Sequence, residues 1–397
     1  MKVVLSEGRN QQQIGFNLGC QLVEDIKHNI SLGTKSAKAR GVTKQRLSQL
    51  SERYIKCLSD GTINMMEGLS QGSRIPFQSI LNLNILQDLL CSDGCTTFAA
   101  VGEATDQGGA ILLKNRDVPA NSPAQGRYYY ENRQINVIQV LKNSDGNVTV
   151  GVTTAGSTGI VMGLSKHGIA TASNQGCTKD LGSMAGIGVV GGFRGQLMRE
   201  GLEQDTVQDA VKHVTSRLVQ VGMENPGILW FVDSNNIYVI EGAPREFSVQ
   251  HLTAGFTVRS NHFILLDHLN DDNISCICRY SRGKQLLTEN YGKINRERMM
   301  EFSMDHKNGP GENSICEHSR DPERVVTESA AIMELNNLNP QKSKISIALG
   351  SPCRAWRSSG GNFTFQMDDD IEKIPKKFLD GSVYKEFIKK EPWNVDI

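Results

Sequence analysis

The sequence predicts an α+β fold, because the spacing of its apolar residues changes along the chain. Up to about residue 92 the apolar residues recur every three or four positions, which is typical of helices packed on one side. Between Cys95 and Gln175 they alternate with polar residues, which is typical of strands, and helical and strand-like stretches then follow one another to the end. Several α+β architectures fit such an order, so the pattern alone defines only the class.

The N-terminal part is predicted to be mostly helical. An edge strand is expected over 2–5, followed by helices over 11–30 and 44–69, where leucine, isoleucine and methionine fall at helical spacing. A third helix is predicted to begin at Pro76, a residue favoured in the first turn, and to end near Cys91.

The region after Cys95 is predicted to form a sheet of mostly consecutive antiparallel strands. Its expected strands cover 96–101, 110–116, 134–141, 148–154, 160–164 and 169–173. Later helices are expected over 192–200, 206–219, 281–306 and 324–335. Later strands are expected over 228–232, 237–240, 247–252, 256–259, 344–349 and 363–367, and the tail from 368 onward is expected on the surface.

The composition indicates an ordinary soluble globular protein. The 397 residues are 38% apolar, and 43 basic side chains balance 43 acidic ones. A neutral chain is not expected to bind nucleic acid. No apolar run reaches the roughly 18 to 20 residues of a membrane span, and the first residues turn acidic too soon for a signal peptide, so we expect no membrane association and a cytoplasmic location.

The nine cysteines are an odd number without a paired framework, which favours reduced thiols over disulfides. Cys276 and Cys278 lie close together, but no Cys-x-x-Cys or His-x-x-x-His spacing accompanies them. The spacing therefore predicts no zinc site, and no other cofactor is expected.

The candidate reactive residue is Cys95, at the start of a predicted hairpin. Its first strand opens with GCTT, and a glycine-rich turn at 102–109 leads into ILLKNRD at 111–117. Cysteine is the most nucleophilic side chain near neutral pH, and a preceding glycine allows the Gly94–Cys95 peptide bond backbone geometries that other residues resist. This combination suits self-cleavage. The alternative is a buried structural cysteine, which is what most cysteines are.

Self-cleavage before Cys95 would also provide a base. The freed α-amino group would lie within reach of the thiol, directly or through a water, and is basic enough to take its proton. Nucleophile and base would then belong to one residue, and no histidine would be needed.

Four short segments occur in a fixed order over most of the chain: Asp93–Thr97, Asn115–Asp117, Gly163–Ala170 running into Asn174, and Ser260–His262. Together they resemble the isopenicillin N acyltransferase-like branch of the N-terminal nucleophile (Ntn) hydrolases, and more distantly the choloylglycine hydrolases. The resemblance implies a four-layer αββα sandwich and an inactive precursor that cuts its own Gly94–Cys95 bond. The chain would then be one domain, 1–397. A mostly helical fragment, 1–94, would be released but retained in the fold, and 95–397 would be the catalytic fragment.

The resemblance implies roles for six residues. The expected catalytic residues are the nucleophile Cys95, Asp117 to orient the new ammonium group, Asn261 to donate to the oxyanion, Asn174 as a second asparagine at a strand end, Thr97 to assist self-cleavage, and Arg324. Arg324 is the nearest counterpart of a family arginine downstream of a Ser-Ile-Cys segment, and its spacing differs by one residue.

Several of these residues have ordinary alternatives. Asp117 can cap a turn beside Pro119, Asn174 can be a turn asparagine, and strand threonines such as Thr97 are frequent. Lys114 stands where choloylglycine hydrolases tend to carry arginine, and this departure makes it a weak candidate. His262 next to Asn261 raises a papain-like Cys-His-Asn alternative, but the local papain signature around the cysteine is absent.

Three functions compete on this basis. The favoured one is a self-processing amide hydrolase or acyltransferase that forms an acyl-enzyme on Cys95 from a small amide or thioester. The second is a related hydrolase of narrow specificity, acting on an acylated amino acid, a conjugated bile-acid-like amide or a short peptide. The third is a non-catalytic protein that keeps the fold. The partners expected for the favoured function are this small substrate and the second cleavage fragment, and a homo-oligomer is left open.

Overall fold

A computed structural model describes residues 1–39, 41–89, 94–119, 134–179, 192–319 and 325–390. Its strands are β1 (Lys2–Gly8), β2 (Gly94–Val101), β3 (Ala110–Pro119), β4 (Asn136–Asn143), β5 (Val148–Thr154), β6 (Met162–Ser165), β7 (Ala170–Gln175), β8 (Gly227–Val232), β9 (Ile237–Gly242), β10 (Phe247–Leu252), β11 (Gly255–Arg259), β12 (Val325–Leu335), β13 (Lys344–Ala348) and β14 (Asn362–Gln366). Its helices are α1 (Gln11–Gln21), α2 (Val23–Ala39), α3 (Lys44–Tyr54), α4 (Asp60–Ser73), α5 (Phe77–Leu89), α6 (Arg194–Leu202), α7 (Val207–Val221), α8 (Ile274–Glu289), α9 (Arg296–Ser303), α10 (Pro352–Ala355), α11 (Lys376–Leu379) and α12 (Ser382–Lys390). Short 3-10 turns lie at Ile55–Cys57, Gly102–Ala104, Asp267–Leu269, Pro340–Lys342 and Ile371–Lys373.

The strands of these ranges form two sheets. The first has eight strands in the order β1-β4-β5-β6-β7-β8-β9-β10, and the second has six in the order β11-β2-β3-β12-β13-β14. β1 lies parallel to β4 at the edge of the first sheet, as the sequence predicts for an edge strand. The long run of strands after Cys95 is therefore not one sheet. The β2–β3 hairpin belongs to the second sheet, while β4 to β7 form a meander in the first.

The two sheets pack face to face with helices outside each. Apolar side chains such as Ala99, Leu112 and Trp230 fill the space between the sheets. On the outer face of the first sheet, helices α1 to α7 contribute two clusters that bury Val137 and Leu229. Helices α8 and α9 cover the second sheet. The four layers are thus α, β, β and α, which confirms the predicted αββα sandwich.

Two of the predicted N-terminal helices are each divided. The predicted helix over 11–30 breaks at Leu22, whose backbone leaves helical geometry at φ −118° and ψ 16°. The predicted helix over 44–69 is interrupted before Ser59, whose side chain accepts from the Thr62 N–H and starts α4. Serine at this position satisfies a backbone donor that a continuous helix would bond elsewhere.

Two predictions near the C-terminus are wrong. The predicted helix over 324–335 is the strand β12, which pairs with both β3 and β13 and is buried along most of its length. Because β12 is buried on both faces, its apolar residues do not alternate with polar ones, and a run of eleven residues fits a helix as well as a strand. The tail after 368 does not lie wholly on the surface, since α12 buries Val383 and Phe387 against the sandwich.

β2 is an internal strand of the second sheet, and its alternation sets the geometry around Cys95. Phe98 on β2 belongs to the cluster under α8 and α9, whereas Ala99 belongs to the core between the sheets. Because successive side chains of a strand point to opposite faces, Cys95 and Thr97 face the space between the sheets, and Thr96 faces the outer helices.

Candidate active site

Cys95 is the second residue of β2, and its side chain is 3% exposed. The ammonium group of Lys114 donates to its sulfur, with Nζ and Sγ 2.8 Å apart, and also donates to the Ser173 carbonyl oxygen. Lys114 is fully buried. A positive charge in contact with the sulfur stabilises the thiolate, which is the reactive form of a cysteine.

The backbone N–H of Cys95 is bonded by the side chain of Asn261. β11 pairs with β2 only as far as Arg259 opposite Thr97, so the ladder ends before it reaches Cys95. Asn261 follows that strand end, and its Oδ1 accepts from the Cys95 N–H at 3.0 Å. A side chain thus replaces the missing strand at the backbone nitrogen of Cys95.

The orientation of the Asn261 amide is fixed by its partners. Its Oδ1 also accepts from Arg279 Nη2 at 2.9 Å, and its Nδ2 donates to the Gln175 carbonyl oxygen at 2.9 Å. Two N–H donors contact one end of the Asn261 amide, and a carbonyl oxygen contacts the other end. The first end must therefore be the oxygen and the second the nitrogen. In this state the oxygen, rather than the NH₂ group, faces Cys95. The predicted donation from Asn261 to an oxyanion stays a prediction.

Arg279 on α8 connects most of the groups around Cys95. Its Nη1 donates to the Cys95 carbonyl oxygen at 2.6 Å and to Thr96 Oγ1 at 3.1 Å. The guanidinium lies 3.2 Å from a carboxylate oxygen of Glu317 and 3.9 Å from one of Asp117. The planar fork of arginine can hold several acceptors at once, which explains how one residue orders both the backbone and the carboxylates.

Asp117 lies directly opposite Gly94, the residue before Cys95. Its Oδ1 accepts from Thr327 Oγ1 at 2.6 Å, and its side chain is fully buried. The turn-capping alternative does not fit this position, because Asp117 lies within β3 and faces the Gly94–Cys95 peptide.

A side chain at position 94 would crowd Asp117, which explains why this residue is a glycine. A Cβ at this position would lie 3.0 Å from Asp117 Oδ2 and 3.1 Å from Asp117 Cβ. Among the described glycines, a positive φ occurs elsewhere, for example at Gly102 and Gly108, and not at Gly94. The expectation that Gly94 provides unusual backbone geometry is therefore corrected: it allows the Asp117 carboxylate to approach the peptide that precedes Cys95.

Two buried carboxylates share the Arg279 guanidinium. Burial, and next the negative charge of Asp117, raise the pKa of Glu317 to about 9, while Arg279 opposes the shift. The short contact between Arg279 and Glu317 alone would favour an ionised Glu317. The pKa of Glu317 is nevertheless raised, because burial and the negative charge of Asp117 outweigh one guanidinium shared by two carboxylates.

Asn174 on β7 and Thr97 on β2 link the two sheets close to Cys95. Asn174 Oδ1 accepts from Thr97 Oγ1 at 2.7 Å and from Trp230 Nε1 at 3.1 Å. Asn174 Nδ2 donates to the carbonyl oxygens of Arg259 and Ser260. Asn174 is fully buried within β7, so it is not a turn asparagine, and its bonds position the segment that carries Asn261.

His262 is directed away from the thiol. Ser260 Oγ donates to the Cys276 carbonyl oxygen, so His262 Nδ1, 2.8 Å from that Oγ, must be the donor of the second bond. The His262 ring packs edge-on against Tyr280, and burial, with Arg259 next, lowers its pKa. These contacts do not form the Cys-His pair of the papain-like alternative.

Several further points concern the predicted residues. Cys95, Asp117, Asn261, Asn174 and Thr97 lie together, whereas Arg324 and Asp93 are outside the described residues. The sequence reasoning underestimated Lys114 and missed Arg279 and Glu317.

Within the described ranges, one group of four side chains could hold a metal ion. It consists of His306, Cys316, His318 and Cys353, and two of these residues, Cys316 and His318, flank Glu317 in the chain.

The described part of the chain contains no helix with the length and apolar character needed to cross a membrane. No family model matches the chain, and a search of curated proteins finds no match.

Solved structures of the Ntn-hydrolase fold resemble the chain at low identity. The Caenorhabditis elegans N-acylethanolamine-hydrolyzing acid amidase ortholog aligns over 62% of this chain and 93% of its own, with 16% identity and a TM-score of 0.40. A mutant conjugated bile acid hydrolase from Clostridium perfringens aligns over 69% and 93%, with 10% identity and a TM-score of 0.39. Penicillin V acylase from Agrobacterium tumefaciens aligns over 64% and 83%, with 9% identity and a TM-score of 0.35. Because the sequence identities and TM-scores are low, only the side chains of this chain can support a function.

Proposed function

We propose that the chain is a self-processing cysteine hydrolase of the Ntn type, which cuts its own Gly94–Cys95 bond and then hydrolyses or transfers the acyl group of a small amide or thioester. The observation that carries this proposal is the set of contacts around a single residue. The Cys95 sulfur, nitrogen and carbonyl oxygen are contacted by Lys114, Asn261 and Arg279 respectively. The backbone N–H and C=O of any buried residue need partners, but the sulfur of a structural cysteine in a core has no need of a buried ammonium group beside it.

The proposed cleavage is an acyl shift followed by hydrolysis. The Cys95 sulfur attacks the Gly94 carbonyl carbon, a thioester forms, and the Gly94–Cys95 C–N bond breaks as the thiol proton passes to the nitrogen. Water then splits the thioester, which leaves a carboxylate on Gly94 and a free thiol and α-amine on Cys95. Lys114 favours the thiolate, and Asp117, opposite Gly94, and Arg279 hold the peptide in place.

The same groups fit the subsequent acyl transfer. After cleavage the Cys95 amine would keep its contact with Asn261 Oδ1 and receive the thiol proton. The thiolate would attack the substrate carbonyl, the amine product would leave with a proton, and water or an acceptor amine would take the acyl group from sulfur. The side-chain amide of Asn261 would be the donor to the oxyanion.

The two proposed fragments would remain associated. β1 pairs along its length with β4, and α1 to α5 pack their apolar faces on the first sheet. Residues 1–94 therefore contribute core to the sandwich as well as the end of the scissile bond. Burial on this scale favours retention of the fragment after the peptide bond is cut.

The acyl-transfer step can be tested by trapping its intermediate. The processed protein is incubated with a panel of acylated amino acids, conjugated bile-acid-like amides and short peptides, quenched in acid, and analysed by peptide mass spectrometry. We expect an acyl adduct on the Cys95 peptide and release of the amine for at least one class, and neither with Cys95→Ala. Processed protein that gives no adduct and no released amine with any class would favour the non-catalytic alternative.

A further inference from the structure

Four metal-binding side chains that are distant in the sequence converge on the outer side of the second sheet. His306 follows α9, Cys316 and His318 precede β12, and Cys353 lies in α10. Their four ligand atoms all lie within 4.8 Å of one another. Cys316 is buried and the other three are partly exposed, so the group has an open side through which an ion can enter.

Three of the six separations between these ligand atoms fit a tetrahedral ion. Zn²⁺ binds sulfur at about 2.3 Å and imidazole nitrogen at about 2.0 to 2.1 Å, so tetrahedral ligands are separated by about 3.5 Å for sulfur to nitrogen and about 3.3 Å for nitrogen to nitrogen. The sulfurs of Cys316 and Cys353 each lie 3.5 Å from His318 Nε2. His318 Nε2 lies 3.0 Å from His306 Nε2. All three distances agree within a few tenths of an ångström.

The surroundings also fit a metal site. Ser351 Oγ lies 3.7 Å from the sulfur of Cys316 and 3.7 Å from that of Cys353, so its one O–H can donate to either thiolate ligand. Two thiolates and two imidazoles are the soft and borderline ligands that select zinc over the hard cations. Cys316 and Cys353 are free thiols here, so no disulfide competes for the sulfurs.

We propose that His306, Cys316, His318 and Cys353 bind one Zn²⁺ ion. The ligand set is complete at four protein side chains, which is typical of a structural ion and leaves no open position for a substrate. The ion joins three segments that are otherwise separate: the end of α9, the chain before β12, and α10. This inference does not depend on the function proposed for Cys95.

The ion would also stiffen one wall of the Cys95 site. Glu317, between two of the ligands, points the opposite way and pairs with Arg279 at 3.2 Å. The Glu317 backbone is bonded to Thr327 in both directions, at 2.8 and 2.9 Å. Thr327 in turn donates to Asp117. An ion that holds Cys316 and His318 in place would therefore also hold Glu317, which lies between them. The contacts of Glu317 with Arg279 and Thr327 would be held with it.

Metal content tests the proposal directly. The full chain is expressed in zinc-supplemented medium, dialysed against metal-free buffer with a thiol reductant that does not chelate zinc, and analysed for metals. We expect one zinc per chain in the wild type and in the control Cys57→Ser, and loss of this zinc in the double variant Cys316→Ser/Cys353→Ser. A wild type that keeps no zinc, or a double variant that keeps it, would overturn the proposal.

Two measurements keep the test valid if the double variant does not fold. Wild-type chain loaded with Co²⁺ should show the strong visible absorption of tetrahedral cobalt and a thiolate-to-cobalt charge-transfer band. In competition with a chelator, the Ser351→Ala variant should bind zinc about 10-fold or more weakly than the wild type. The weak spectrum of octahedral cobalt without a thiolate band would contradict the assignment. So would a Cys316–Cys353 disulfide found in protein alkylated at lysis.

Discussion

The ammonium nitrogen of Lys114 lies 2.8 Å from the thiol sulfur of Cys95. Under the proposed function, this contact supplies the positive charge that enzymes with a Cys-His pair obtain from a histidine. The nearby histidine in sequence, His262, is instead bonded to Ser260 and packed on Tyr280.

Replacing Lys114 by methionine should slow the reaction of Cys95 with an alkylating agent at neutral pH. The change keeps much of the side-chain length and removes the charge that stabilises the thiolate, so we expect a decrease of about 10-fold or more, equivalent to about 1.4 kcal/mol. The rate is read from the Cys95 peptide by mass spectrometry, because Cys276 is a second thiol close to Arg279.

Lys114→Arg is the matched control, because it restores a positive charge at the same position. It should recover a large part of the rate, although its fork has a different geometry. If the methionine and arginine variants react alike, Lys114 has only a packing role.

Asn261→Ala should lower the acylation rate by about 10² to 10³-fold in protein that is already processed. The change removes both the acceptor for the Cys95 nitrogen and the proposed donor to the oxyanion. Single-turnover kinetics provide the measurement. Asn235→Ala, in the exposed turn between β8 and β9, is the control and should change the rate very little. Equally small effects at both positions would show that Asn261 is structural.

Gly94→Ala should retard self-cleavage, because the added methyl group would lie 3.0 Å from Asp117 Oδ2 and 3.1 Å from its Cβ. Either the Asp117 side chain or the Gly94–Cys95 peptide must move to relieve this contact. The measurement is the fraction of cut chain over time by gel electrophoresis. Gly61→Ala, where the new methyl group meets nothing closer than 3.8 Å, should process normally. Unchanged processing of Gly94→Ala would mean that the carboxylate is not needed at this distance.

Glu317 should make the stability of the unprocessed chain depend on pH. Its pKa is raised from 4.5 to about 9 in the fold, so between these values the folded state binds more protons than the unfolded state. The free energy of unfolding should therefore fall as the pH rises through this window, by at most about 1.4 kcal/mol per pH unit from this residue.

Urea unfolding of Cys95→Ala chains, which stay uncut under the proposed mechanism, measures this contribution. Glu317→Gln in that background should remove part of the decline between pH 5 and about pH 9. Glu52→Gln, an exposed change on α3, should keep it. The same slope with and without Glu317 would mean that this carboxyl group is ionised throughout.

Much of the fold was predictable because its elements are amphipathic. The helices before β2 have an apolar face, and the strands β2 to β7 are short runs rich in β-branched and apolar residues between turns, so the local pattern locates them. β12 is the exception, because its eleven residues are buried on both faces and a run of that length fits a helix as well as a strand. The division of the strands between two sheets also has no local signal, since it depends on long-range pairing.

The short motifs located residues such as Asn174 and Asn261 that lie close to Cys95, but they gave no signal for the residues outside them. Lys114 could have been recognised from the hairpin register: it lies opposite Thr97, and therefore on the same face as Cys95. Arg279 is separated from Cys95 by 184 residues and carries no pattern that distinguishes it from other helix arginines. The four proposed zinc ligands span residues 306–353 without a recognised spacing, so sequence reasoning predicted no zinc site.

The central claim is that Cys95 cuts the chain before itself, and intact-mass measurement of purified protein tests it most directly. The wild type should yield two fragments, 1–94 and 95–397, and the larger one should begin with Cys95 by N-terminal sequencing. Cys95→Ala should remain a single chain of 397 residues, and Cys57→Ser should be cut like the wild type. A wild-type chain that stays intact after prolonged incubation, or a Cys95→Ala chain that is cut at the same bond, would contradict the account.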